Sequence, residues 1–182
     1  SAMTWPASRR TMNQVPLSLP GSPNPMDVIR TDRAVLDTQV VLDWLVFRDP
    51  AVQAIARALE DGSLHWLASQ PMLDEFEQVL DRGVGAARLP DRDSIRDVCS
   101  RLALPAEVAV ASTLRCADPD DQMFIDLALA ADARWLFTRD KALLRLAPRA
   151  RDRGVRVLRP ADWPPQLRAA SGESEKRPPE GG

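Results

Sequence analysis

Residues 117–144 read ADPDDQMFIDLALAADARWLFTRDKALL, and within them a helix, a strand and several acids follow one another in an order that decides the architecture. Asp118 is placed to cap a helix, Pro119 suits its first position, and further acids face the positive end of its dipole. The helix is predicted over Asp118–Ala131 and a strand over Trp135–Thr138. Capping accounts for Asp118. It does not account for Asp121, which heads the stripe of Phe124, Ile125 and Ala128 at i+3, i+4 and i+7. A carboxylate on an apolar stripe is costly unless a cation meets it, so Asp121 reads as functional. Asp126 points away from that stripe and is expected in solvent. Asp140 stands two residues past the strand.

Working outward, Ala34-Val35-Leu36 is a buried strand followed directly by Asp37. Helical stretches run through Val41, Leu45 and Val46, and from Pro50 to Glu60. Leu64–Ala68 forms a second strand, and Ser69 caps a helix reaching about Arg82. Asp91–Leu104 is helical. Glu107–Ser112 alternates weakly and fits a strand or a helix. Val155–Leu158 is a last strand. Strands alternating with helices through short links predict a three-layer α/β/α sandwich around a mainly parallel central sheet. Ligands of such sheets sit beyond the carboxyl ends of the strands, so Asp37 and Asp140 are aimed at one rim.

The organised domain spans residues 31–164 by this reading. Residues 1–30 carry Pro6, Pro16, Pro20, Pro23 and Pro25 without periodicity and read as disordered or loosely ordered; 165–182 end in SGESEKRPPEGG and read as a disordered tail. Ser1-Ala2-Met3 looks like a cloning remnant.

The 182 residues hold 24 basic and 26 acidic side chains, which argues against a simple nucleic-acid-coating protein but not against an enzyme with offsetting charges. Two cysteines, Cys99 and Cys116, give no disulfide framework or thiolate cluster and point to a cytoplasmic protein with reduced, buried thiols. His65 is the lone histidine and lies in an apolar strand, which suits a structural role. Histidine-based zinc sites and Ser-His or Cys-His catalysis therefore lack parts. No apolar run is long enough to span a membrane.

On the helix after Ser69, Met72, Leu73, Phe76, Val79 and Leu80 form the buried face, with Glu75 and Glu77 flanking it on opposite sides. Periodicity does not choose between the two glutamates.

The stretches RAVLDTQVVLDWLVF (33–47), ASQPMLDEFEQVL (68–80) and residues 117–144 resemble the successive motifs of PIN-domain proteins, especially the bacterial toxins of toxin–antitoxin pairs. RVLRPADW (156–163) is similar to the family's last strand and turn. The resemblance implies a PIN-like fold with catalytic and metal-binding acids at Asp37, Glu75, Asp121 and Asp140. Glu75 rests mainly on the resemblance. Asp118 is a further ligand candidate, with capping as its stronger explanation. The family usually has asparagine or serine where Gln39 stands, so a hydrogen bond made there must be rebuilt. Asp43 is either a support behind the ligands or a surface acid.

Carboxylates are hard ligands suited to Mg²⁺ or Mn²⁺. Such an ion polarises a phosphodiester and lowers the pKa of water without histidine. The resemblance implies a metal-dependent ribonuclease acting on single-stranded RNA and leaving a 5′-phosphate. It also implies a small antitoxin partner and a homodimer. Arg139 is the best single candidate for a phosphate contact, with Thr138 supporting it. Arg145, Arg149, Arg151, Arg153, Arg156 and Arg159 serve equally as a phosphate grip or as a solvated charge run. A receiver-type phosphoacceptor would need an acidic pair after the first strand, and a haloacid-type phosphatase an Asp at position 39. The remaining alternative is a catalytically weakened PIN-fold module that binds RNA or a partner.

Overall fold

A computed structural model describes residues 33–83 and 91–163. The N-terminal segment read as disordered or loosely ordered and the C-terminal tail lie outside the described residues. Five parallel strands make one sheet: β1 (Arg33–Leu36), β2 (His65–Ala68), β3 (Ala103–Pro105), β4 (Trp135–Phe137) and β5 (Arg156–Leu158). Their spatial order is β3-β2-β1-β4-β5. The chain builds outward from β1 to β3, then returns to lay β4 on the other side of β1. The order reverses between β1 and β4, where α/β sheets open a crevice at their carboxyl ends.

Alternate residues of each strand feed two separate cores. Ala34, Leu36, Trp66, Ala68, Trp135 and Phe137 face one side. There they meet α1 (Thr38–Leu45), α2 (Gln53–Glu60), α3 (Gln70–Arg82) and α4 (Arg92–Leu102). Val35, Leu67, Leu136 and Val157 face the other, under α5 (Gln122–Ala130), α6 (Lys141–Leu144) and α7 (Ala147–Arg151). Strands covered on both faces are apolar throughout, which is why β1 and β4 read so clearly in the sequence. The three-layer α/β/α sandwich is as expected, and its described sheet is wholly parallel.

Three local expectations need correction. The helix predicted to Leu104 stops at Leu102, and Ala103-Leu104-Pro105 forms edge strand β3. Glu107–Ser112 is neither strand nor helix. The helix predicted from Asp118 divides into a 3₁₀ turn, Pro119–Asp121, and then α5. Ser69 does hold the N-cap position of α3, but its side chain makes no capping bond. His65 opens β2 and is exposed, at the edge opposite the acids. Both cysteines are free; Cys99 is buried and Cys116 half-buried.

Candidate active site

Asp37 follows β1, and its backbone N–H donates to the Phe137 carbonyl at 3.1 Å, fastening the end of β1 to β4. The side chain caps α1, with Oδ1 accepting from the Val40 N–H at 2.9 Å. Oδ2 accepts a short hydrogen bond from the Thr138 hydroxyl. Thr138 is fully buried, and its Oγ1 also accepts from the Asp140 N–H at 2.9 Å. One hydroxyl thus joins the acids that end the two central strands. Thr138 holds the Asp37 carboxylate and the Asp140 backbone.

Asp140 caps the short α6 through the Ala142 and Leu143 N–H groups, at 2.7 and 3.3 Å. Asp118 caps the 3₁₀ turn through the Asp120 N–H at 3.0 Å. Because Asp118 does this work, Asp121 at the junction with α5 makes no capping bond. Its carboxylate is free to face the cleft. Oxygens from Asp118, Asp121 and Asp140 lie within 4.8 Å of one another, a group able to hold one ion. Capping and ligation are therefore compatible at Asp118, a combination that sequence reasoning ranked low.

A cleft of about 430 Å³ opens over this group and is lined by Asp37, Glu75, Asp121 and Asp140, with Thr38 and Arg139 among its other walls. The structure separates the two glutamates of α3. Glu75 faces the cleft, where the Thr38 hydroxyl donates to its Oε2 at 2.5 Å. Glu77 is buried on the other flank and pairs with Arg96 at 2.6 Å. Thr38 was missed by the sequence reading; its signal is a hydroxyl one residue past a strand-ending acid.

The electrostatics follow from crowding like charges on a partly dry rim. Burial pushes the Asp37 carboxyl above its ordinary range, offset in part by hydrogen bonds from Thr138 and the Val40 and Arg139 backbone. Asp121 is raised to about 7, first by burial and then by Asp140 and Asp118. A half-exposed carboxyl held that high is one that a cation would relieve. The donors are all carboxylate oxygens, a set that fits a hard divalent ion such as Mg²⁺ or Mn²⁺.

Gln39 is exposed, and its Nε2 donates to Asp43 Oδ1 at 3.0 Å, one helical turn on. Asp43 is buried, not a surface acid. Its Oδ2 sits 2.9 Å from Arg139 Nε, an ion pair without hydrogen-bond alignment. Arg139 NH2 also reaches Asp49 Oδ2 at 2.9 Å. Arg139 is thereby held by two carboxylates at the cleft wall, and its NH1 has no partner among the described residues.

The arginine run divides. Arg153 donates to Thr113 Oγ1 at 2.6 Å, and Arg156 lies over the Trp135 ring, 5.9 Å from its centroid. None of the six lines the cleft. Asp126, expected in solvent, is only 8% exposed and accepts from the Ser112 N–H and Gln122 Nε2 at 2.9 and 3.0 Å. The loop before the 3₁₀ turn folds across α5 and needs that acceptor.

Residues 33–142 match the family model described as PIN domain. Among solved structures, the chain is similar to a chain in the crystal structure of VapBC2 from Rickettsia felis bound to a DNA fragment from their promoter. The two are 11% identical with a TM-score of 0.49, over 70% of this chain and 98% of that one. No curated protein sequence matches significantly. The matched span covers β1 through the start of α6, carrying every acid of the cleft, and the chain belongs to the PIN-domain family.

Proposed function

We propose that this PIN-domain protein is an endoribonuclease that uses Mg²⁺ or Mn²⁺ to hydrolyse single-stranded RNA, leaving a 5′-phosphate, and that it acts in the cytoplasm as the toxin of a toxin–antitoxin pair. The observation that carries this reading is the convergence of Asp118, Asp121 and Asp140 oxygens within 4.8 Å, beneath a cleft that Asp37 and Glu75 also line. When bound, a divalent ion supplies Lewis acidity toward the phosphodiester and lowers the pKa of water.

The protein's own groups do the rest. Asp121, raised to about 7, is partly protonated near neutral pH, and as a carboxylate it would help to hold the ion. Thr38 fixes the Glu75 carboxylate so that it can accept a proton from the attacking water. Thr138 holds the Asp37 and Asp140 strand ends at a fixed separation. Arg139, anchored on Asp43 and Asp49, offers its free NH1 to a substrate phosphate. A small antitoxin and a second copy of the chain are the partners that the family resemblance implies. Among the described residues no helix is long and apolar enough to cross a membrane.

The test is cleavage of single-stranded RNA in Mn²⁺ and in EDTA, with end-group analysis of the products. Cutting in Mn²⁺ alone, with 5′-phosphate ends, is expected. Equal cutting in EDTA overturns the metal-dependent reading. RNA binding without any cutting favours the weakened binding module, for which Gln39 is the sequence support.

A further inference from the structure

The helical segment that leaves the acidic rim carries charge of one sign. Residues 141–151 read KALLRLAPRAR, four cations and no acid, in a chain whose formal net charge is −2. Asp140, at the cleft, caps α6, so the segment starts at the rim and runs down the flank, where α6 and α7 pack against edge strand β5. Arg145 and Leu146, between the two helices, keep right-handed helical angles (φ −64° and −80°), and the Arg145 N–H donates to the Lys141 carbonyl at 3.0 Å. The winding is therefore continuous. Leu143, Leu146 and Ala150 are buried in the core beneath it, while Lys141, Arg145 and Arg149 are exposed on the other face, at successive intervals of one helical turn.

A solvated charge run is normally interspersed with acids that pair with it, and α4 shows this in the same molecule. Its arginines, Arg92, Arg96 and Arg101, pair with Asp81, Glu77 and Asp97. By contrast, neither Lys141 nor Arg145 nor Arg149 has a side-chain hydrogen bond or ion pair among the described residues. The helix dipole gives Arg149 a place near the end of α7 but disfavours Lys141 at the start of α6. Like charges in a row repel, and a polyanion relieves them. Each four-residue step advances about 6 Å along the helix, an interval that neighbouring phosphates of a splayed strand can match.

We propose that Lys141, Arg145 and Arg149 form a phosphate track that carries single-stranded RNA from the cleft down this flank, an inference that rests on the ribonuclease reading above. Each side chain takes one phosphate and none reads a base, so the track adds affinity and a preference for length without a preference for sequence. That these groups do not line the cleft is then expected, because they act on nucleotides beyond the cut. An acidic peptide would meet the same charges, but continuity with Asp140 ties the stripe to the molecule bound in the cleft.

The experiment is fluorescence anisotropy in Ca²⁺ over a salt series, with two labelled all-uridine RNAs, a dodecamer and a tetramer. In the triple variant Lys141→Gln, Arg145→Gln, Arg149→Gln, the log-log salt slope for the dodecamer should fall in magnitude by about 2. The affinity gap to the wild type should then narrow about twentyfold between about 50 and 200 mM salt. The tetramer, held within the cleft, should change little. Each single variant should lower the slope by about 0.7, which keeps the test decisive if the triple variant unfolds. A control that removes the same charge from exposed positions on the opposite layer, Arg57→Gln, Arg82→Gln, Arg101→Gln, should keep the wild-type slope. In Mn²⁺ the stripe variant should raise KM for the dodecamer at an unchanged kcat. Equal slopes in the wild type and the folded stripe variants overturn the inference, as does an equal fall in the control. Decaglutamate is the probe for an acidic partner. If it binds as tightly as the dodecamer and weakens equally in the stripe variant, RNA is not the occupant. A stripe-dependent slope without cleavage in Mn²⁺ supports the track and removes the nuclease reading. Cleavage without stripe dependence does the reverse.

Discussion

Replacing Asp121 by Asn removes one charge from the rim while nearly keeping shape, and the consequence for stability has a definite sign. The native carboxyl titrates at about 7, against 3.8 ordinarily. Below about pH 4 the group is protonated in both folded and unfolded chains, and its favourable contribution to stability is fully present. As pH rises toward 7 the unfolded chain loses its proton first. Stability then falls until the folded pKa is passed, and levels off above it. Such a shift corresponds to roughly 4 kcal/mol if taken whole. Asp121 is half-exposed, so solvent screening reduces this to about 1–2 kcal/mol. For a chain of this size that is a rise of about 3–6 °C for the metal-free variant at pH 7.5, shrinking toward pH 4. Added Mn²⁺ should stabilise the wild type in proportion to the logarithm of its concentration and the variant much less. Melting curves in EDTA and in Mn²⁺, at pH 4.5 and 7.5, measure all of this. If the EDTA-treated variant melts lower at pH 7.5, and Mn²⁺ shifts both proteins equally, Asp121 belongs to no shared ion site.

Glu75→Gln should abolish RNA cleavage at an unchanged melting temperature. Glu77→Gln should keep cleavage but lose about 1–2 kcal/mol by denaturant titration, because it weakens a buried charge-assisted contact with Arg96. Asp37→Asn and Asp140→Asn should both lose cleavage by product analysis. Gln39→Asn is one methylene too short to hold Asp43 and should raise KM through a loosened Arg139, with little change in kcat. An unchanged KM would show that Arg139 is fixed without it.

The positions of Asp37 and Asp140 were legible because an acid just past the apolar end of a buried strand has one place to go, the carboxyl rim. Asp121 was legible because it sits on a stripe that its own helix cannot satisfy. Glu75 was not, since both glutamates of α3 flank the apolar face and only the neighbouring Thr38 and Arg96 tell them apart. Asp126 was misread for a related reason. Helical periodicity reports which face meets the sheet, and it carries no record of a loop folded over the other side. Edge strand β3 escaped because Ala103 follows α4 without turn residues and Pro105 argues against a strand interior. The place of Asp118 beside Asp121 and Asp140 was hidden behind its capping bond, which uses one oxygen and leaves the other.

The hydrogen bond between Thr138 and Asp37 spans 101 residues of chain. During synthesis β1, α1, β2 and α3 leave the ribosome first, carrying Asp37 and Glu75. The strand that must slot beside β1, together with Asp118, Asp121 and Asp140, arrives last. The central seam of the sheet is thus closed by late-made segments, a long-range pairing that is slow to form. A nascent or prematurely terminated chain lacks the seam and has no acidic cleft. The proposed activity of a protein with this topology therefore cannot appear until synthesis of the domain is nearly finished.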